Sequence, residues 1–282
     1  MSTESEDLLN AWRQSAEYWS KHRATVRRMF APVTSAIVEE ARIRRGQNIL
    51  DVAGGPGEPS LTIAEAVGPD GAVTYTDAVS GMVETARNEA GRQNITNISF
   101  LECRADGLPF SDDSFDVVTC RFGVMLFSDP PASLREMLRV TKPGGVVVLA
   151  VWHTSEMNPF LNAVTRAMAR HVESPPSDPC APGAFRFAEP GSLVALFREA
   201  GAENVQERIL SFKIEAPIAP SDFWPLRVEL SDTLRDKVQR MTPAQLAVIE
   251  SEVQEEISQF FGESGMSFPA SAIIVSGMKS TI

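Results

Sequence analysis

The chain has 282 residues, enough to bury one large core or at most two. Its 26 basic and 37 acidic residues leave a net charge of −11 with no dense basic cluster, which argues against nucleic acid and anionic membranes as partners, since both demand concentrated Lys and Arg. Three widely spaced cysteines, Cys103, Cys120 and Cys180, argue against a disulfide framework and against a zinc site, so no metal is expected.

The opening residues are polar and acidic, with no basic stretch leading into an apolar one, and so carry no signal peptide. The longest apolar run, Val146 to Trp152, falls far short of the roughly 20 residues that a membrane span needs. These features predict a soluble, cytoplasmic protein. From Glu6 to about Ala41, Leu8, Trp12, Ala16 and Trp19, then Phe30, Val33, Ile37 and Val38, recur at helical spacing, and Pro32 is expected to break the segment in two.

Next comes Asn48-Ile49-Leu50-Asp51-Val52-Ala53-Gly54-Gly55-Pro56-Gly57, a buried strand running into a glycine-rich turn. A second strand, Gly71 to Asp77, ends on an acid. This is the pattern of a nucleotide-binding βαβ unit: backbone without Cβ atoms approaches a ligand closely, the helix starting near Pro59 aims free N–H groups at it, and the Asp77 carboxylate can accept both hydrogen bonds of a ribose diol. Ser60 occupies the third glycine position of the dehydrogenase fingerprint, which weakens a nicotinamide reading. Read alone, Gly54, Gly55 and Gly57 also fit an ordinary tight turn, and Asp77 and Asp106 also fit local caps.

Strands are expected near 47–53, 72–77, 97–103, 114–120 and 145–152, with helices near 59–68, 80–91 and 130–140. Alternation with short links implies an α/β fold with a parallel sheet and right-handed crossovers. A further amphipathic helix covers Asn158 to Val172, with Leu161, Val164, Met168 and Val172 on one face, and another helix covers Pro190 to Ala200. A long strand follows from Asn204 to Glu215. Helices then run from Ser221 to Phe261, with a fresh start at Thr242-Pro243, before a last strand from Ala270 to Lys279.

The glycine turn resembles motif I of the class I S-adenosylmethionine (SAM) methyltransferases, an acid-x-G-x-G-x-G pattern that falls on Asp51, position 53, Gly55 and Gly57. Ala53 departs from it by one methyl group. Ser80-Gly81-Met82, the loop from Arg104 to Phe110, the run from Ser114 to Gly123 and Leu138-Arg139-Val140-Thr141-Lys142-Pro143-Gly144-Gly145 resemble, in order and spacing, segments of the branch related to ubiquinone and menaquinone methyltransferases. The likeness covers roughly Gln47 to Trp152. It implies a Rossmann-like, seven-stranded, mostly parallel sheet closed by an antiparallel pair, with helical lid insertions over the carboxyl ends of the strands. On that plan residues 1–46 form an N-terminal helical cap, 47–152 the SAM-binding core, 153–189 a helical insertion, 190–216 a continuation of the core, 217–269 a helical lid and 270–282 the final strand.

The resemblance further implies SAM as cofactor, held by Asp51, Ala53, Gly54, Gly55, Gly57, Asp77, Met82, Ala105, Asp106, Gly107, Arg121 and Phe122. Met82 would pack on the adenine and Asp106 would bond its amino group. The reaction would be methyl transfer to a small-molecule acceptor, a quinol, phenol or secondary metabolite, because a helical cover shapes an apolar pocket and closes off macromolecules. Trp12, Tyr18, Trp19, Phe160 and Trp224 are the aromatic residues expected nearest that pocket. Among three histidines, His153 follows the fifth strand and is the candidate base, although a strand-end cap is the more ordinary role; Arg121 either holds an anionic or phenolic substrate or pairs with an acid. A non-catalytic SAM-binding regulator and a nicotinamide-dependent reductase stay open as alternatives, as do the acceptor atom and a homodimer.

Overall fold

The computed structural model describes residues 3–172, 178 and 181–281, with side chains from Glu6 onward. Cys180 lies outside the described residues. An eight-stranded sheet runs in the order β3-β2-β1-β4-β5-β8-β6, built from β1 (Asn48–Val52), β2 (Ala72–Asp77), β3 (Ile98–Glu102), β4 (Phe115–Arg121), β5 (Thr141–Trp152), β6 (Glu203–Ala216) and β8 (Gly265–Met278). The short β7 (Phe261–Gly262) folds back on the start of β8. Strands β1 to β5 are parallel, and β8 inserts antiparallel between β5 and β6.

Alternation along the central strands feeds two cores. Ile49, Val117, Val148 and Ala150 face α2 (Arg23–Glu40) and α3 (Ser60–Val67), meeting Val33, Ile37, Ile63 and Val67. Leu50, Val118, Val147 and Leu149 face the other way, toward Leu134 and Met137 of α5 (Pro130–Val140) and Leu193 and Phe197 of α7 (Ser192–Glu199). A strand buried on both faces has little polar alternation, hence the apolar run Val146 to Trp152 in β5 and the mainly apolar β1 and β4. Val83 and Ala86 of α4 (Ser80–Arg92) pack on Tyr75 of β2, which has no exposed surface.

Three expectations need correction. The N-terminal helix breaks at His22, between α1 (Thr3–Lys21) and α2, and not at Pro32. Pro32 forfeits one helical hydrogen bond, but Met29, Phe30, Val33 and Ile37 around it are buried, and that packing holds α2 continuous. The fifth strand begins at Thr141 and carries Lys142 to Gly145 through a register shift opposite Phe115 and Val117. The last strand begins at Gly265 and contains Pro269. That proline is tolerated because β5 pairs with β8 only as far as Ala272, so at Pro269 this flank of β8 is an edge.

Apart from the helices that flank the sheet, α1, α6 (Pro159–Ala169), α8 (Pro220–Glu229), α9 (Asp232–Gln239) and α10 (Pro243–Ile257) pack on one another. Thr242 caps α10 through a reciprocal pair with Gln245, the local reason for a fresh helix at that point. Ion pairs join Arg166 to Glu256 and Arg170 to Glu252, while Glu229 receives both Lys21 (2.7 Å) and His22 (2.5 Å). Among the described residues, no helix is long and apolar enough to cross a membrane.

Candidate cofactor site and family

The carboxyl ends of β1, β2 and β4 converge on the glycine turn. Asp51 is fully buried at its base: Ser60 Oγ donates to Oδ2 (2.5 Å), Thr119 Oγ1 donates to Oδ1 (2.8 Å), and burial pushes its carboxyl up to about 6 against those two hydrogen bonds. Ser60, which breaks the dehydrogenase pattern, therefore has a task of its own. Thr119 and Ser60 were not legible as site residues, because their partner lies 68 and 9 positions away and neither belongs to a glycine motif.

Ala53 holds φ +56°, a left-handed conformation that costs a residue with a Cβ about 1–2 kcal/mol; its extra methyl does not prevent the turn. A Cβ on Gly54 would lie 2.6 Å from Tyr75 Cδ2 and 2.9 Å from Asp51 Oδ2, so close approach to the buried Tyr75 ring requires glycine there. Gly54→Ala is expected to cost about 1–3 kcal/mol by overpacking, seen as a fall of roughly 2–9 °C in the melting temperature. An unchanged melting temperature would mean that the turn is free to move away from Tyr75.

Gly55 has φ +54° and only open space on its side-chain side, a cradle into which a ligand fits. Its N–H donates to Asp77 Oδ2 (3.0 Å), Val79 N–H donates to Asp77 Oδ1 (3.0 Å), and the Tyr75 hydroxyl donates to Gly55 O (2.6 Å). Asp77 thus binds the glycine turn to the start of α4 while remaining partly open to solvent, and burial raises its carboxyl to about 6 despite these backbone donors. Met82, buried in the first turn of α4, packs with Val79 against Ala16, Trp12 and Trp19 of α1, so α1 reaches the rim of this site.

Beyond β3, Ala105 is half-buried against the main core, and Asp106 is held by the Arg104 guanidinium at 2.9 and 2.6 Å, which keeps its carboxyl below the usual carboxylate range. Gly107 follows in the same turn, its N–H on Arg104 O. Arg104, which no motif singles out, is what positions Asp106. After β4, Phe122 adopts φ +60° and stacks on Trp152 at 4.0 Å, with Phe30 edge-on at 5.6 Å.

Arg121 is buried, and its Nη1 donates to Thr34 Oγ1 (2.7 Å) and Phe30 O (3.5 Å) on α2. The guanidinium is thus tied to α2, and Glu58 and Asp51 act on it through their charge without a described ion pair. His153 sits in the turn after β5, accepting the Thr154 N–H on Nδ1 (2.6 Å) and giving its carbonyl to Asn158. No described hydrogen bond joins it to the glycine turn. Of the aromatic residues expected at a pocket, Trp12 and Trp19 pair at 5.9 Å beside Met82, Tyr18 lies under Arg235 at 4.7 Å, and Phe160 is buried with Phe223 and Phe268. Trp224 is half-buried against the main core. Two surface cavities, of about 330 and 740 Å³, lie away from this site, at the amino ends of the parallel strands and beside the β7–β8 hairpin. Among the described residues, no group of three or more His, Cys, Asp or Glu is arranged to hold a metal.

The fold matches solved structures at low identity. The YcgJ protein from Bacillus subtilis superposes with a TM-score of 0.58 at 23% identity, over 88% of this chain and 97% of that one. A SAM-dependent methyltransferase from Aquifex aeolicus gives 0.52 at 19%, over 70% and 91%. In sequence, the chain is 40% identical over 109 residues to the ubiquinone/menaquinone biosynthesis C-methyltransferase UbiE of Xanthomonas oryzae, covering 38% of this chain and 43% of that protein. It therefore spans under half the length of that relative. The corresponding protein of Cronobacter sakazakii is 31% identical over 174 residues, covering 58% of this chain and 69% of its own length. Residues 30–172, just over half of the chain, match the model of the ubiE/COQ5 methyltransferase family, and the chain belongs to that family.

Proposed function

We propose that the chain is a SAM-dependent methyltransferase acting on a small-molecule acceptor of the quinol or phenol class. The observation that carries this reading is the partly open Asp77 carboxylate beside the Gly55 cradle, in a chain of this family. Asp77 would receive the ribose hydroxyls, with the bare backbone at Gly55 leaving room for the cofactor's chain. Met82 would supply an apolar surface to the adenine. Asp106 keeps lone pairs free beyond its two bonds to Arg104 and would accept the adenine amino group.

Bound SAM supplies an electrophilic methyl on a sulfonium, so the protein's task is to hold the partners in line and exclude water. Phe122, Trp152 and Phe30 would form an apolar floor, with the lid helices above it. His153 is not assigned as base: a neutral imidazole that accepts a hydrogen bond on Nδ1 carries its proton on Nε2 and presents no lone pair to a substrate. His153→Ala is accordingly expected to keep methyl-transfer rates within about threefold of wild type in single-turnover assays. A loss of 100-fold or more, the scale of a general base, would restore it to that role.

The decisive experiment is transfer of labelled methyl from SAM into a panel of quinols, phenols, amines and enolisable carbons, with protein and RNA as controls. Label in one small-molecule class supports the reading and identifies the acceptor atom. SAM binding without transfer to any acceptor would favour a non-catalytic regulator.

A further inference from the structure

Arg227 is anomalous among the cations of the lid. Arg166, Arg170 and Lys21 each meet a carboxylate and each keeps substantial exposure. Arg227 is only 7% exposed, and no carboxylate partners it among the described residues. Its Nη2 donates to Leu161 O (3.1 Å), its guanidinium lies 4.8 Å over the Phe160 ring, and its Nε is buried without an acceptor. Burial lowers its pKa to about 10, so it stays charged at neutral pH. A positive charge out of water without a counter-charge is costly, and an apolar side chain of similar volume would fill the same space without that cost. Covering Phe160 and bonding one carbonyl therefore do not account for an arginine here.

The position suggests what does. Phe160 and Leu161 open α6, and Asn158 just before them donates to His153 O at the end of β5, so Arg227, stacked on Phe160, lies near the carboxyl end of that strand, on the side where an acceptor would sit. Two residues on, Glu229 fastens α8 to His22, one turn beyond Trp19. Trp19 packs against both the Met82 cluster at the cofactor rim and the main core that includes Phe160 and Phe223. Its indole Nε1 is also buried without an acceptor. The two lid elements thus each carry a buried N–H donor lacking a partner, in surroundings otherwise lined by aromatic and aliphatic groups.

We propose that Arg227 is the specificity-determining residue of the acceptor pocket, and that it selects an apolar, aromatic small molecule bearing an ionised oxygen, which supplies the missing counter-charge. Trp19 provides the second donor. This inference rests on the methyltransferase reading above, since that reading makes the lid cover an acceptor. An apolar pocket gives affinity with little discrimination, whereas a buried charge rejects any ligand that leaves it unpaired.

The test is calorimetric titration of the full chain with 2-naphthoate and with its uncharged isostere 2-naphthamide, in wild type, Arg227→Met, Arg227→Lys and Trp19→Phe, with SAM titrated into each. The acid is expected to bind wild type at least about tenfold tighter than the amide, a charge-assisted contact. Arg227→Met should bring the acid to the amide's level, leave SAM affinity within about twofold and melt no lower than wild type, because it removes an unpaired charge. Arg227→Lys should retain part of the preference, and Trp19→Phe should weaken the acid while leaving its preference over the amide. Equal binding of acid and amide to wild type, binding of neither, or an undiminished preference in Arg227→Met overturns the proposal. Failure of wild type to bind SAM would instead sink the methyltransferase reading, so the two failures are separable.

Discussion

Replacing Asp77 by alanine is expected to weaken SAM binding by about 10- to 100-fold, or roughly 1.5–3 kcal/mol, the scale of hydrogen bonds to a charged group. Two losses add. The carboxylate that would accept the ribose hydroxyls disappears, and the Gly55 and Val79 N–H groups that it receives at 3.0 Å each lose their acceptor, so the glycine turn is no longer tied to α4. Asp77→Asn separates these effects: its amide oxygen can accept one of the two N–H groups, but its NH₂ faces the other and cannot. Asparagine should therefore lose cofactor affinity nearly as much while destabilising the apoprotein less. Calorimetry at pH 7.5 measures the first quantity and thermal melting the second. Affinity within twofold of wild type for the alanine protein would remove Asp77 from the cofactor site.

The parts of this molecule legible in its sequence are those set by local pattern. Strands of the buried sheet centre read as mainly apolar runs, so β1 and β4 are recognisable to within about one residue, as is β2 beside them, and turn chemistry marks where they stop. Asp77 could be singled out because the acid and the glycine turn lie on consecutive strands of one βαβ unit. Where prediction failed, packing from distant residues had overruled a local signal: Pro32 stays helical because α2 is clamped on the sheet, and Pro269 stays in β8 because β5 has already ended beside it. The polar connections among the outer helices were out of reach for a different reason. Arg235 with Ser15, Glu229 with His22 and Arg227 with Leu161 join residues 220, 207 and 66 positions apart, and nothing periodic in a sequence says which charged side chain finds which partner. The same holds inside the cofactor site. Ser60 is a mismatch to one glycine motif until Asp51 is seen to need its hydroxyl.

A buried and a half-buried carboxyl at the glycine turn, Asp51 and Asp77, give stability and cofactor binding opposite responses to acid. Asp51 and Asp77 both titrate near pH 6 in the folded protein, chiefly because burial disfavours their charged forms, against about 3.9 in an unfolded chain. Their folded pKa values are raised, so the stability they contribute is fully present below about pH 4 and is lost as the pH rises through about 6. Two units correspond to roughly 3 kcal/mol for each group, an upper figure for Asp77 because it is only half-buried. Glu89, held down to about 2 by Gln93, Arg23 and Arg92 against a desolvation penalty, behaves in the opposite sense, but its contribution is lost only below about pH 4.5. Between pH 4.5 and 6.5 the turn should therefore dominate, and the apoprotein should melt higher at pH 5 than at pH 7. Asp51→Asn should flatten that slope by about half, since the remaining half belongs to Asp77. SAM affinity must move the other way, because the ribose hydroxyls donate to the ionised carboxylate: it should fall about tenfold per pH unit below 6 and keep that midpoint in Asp51→Asn. Melting curves and titrations across pH 4.5–8 measure both. Affinity that stays flat from pH 7 to 5 would mean that Asp77 does not receive the cofactor's hydroxyls, and a melting temperature that rises steadily with pH would mean that burial does not hold these two carboxyls protonated.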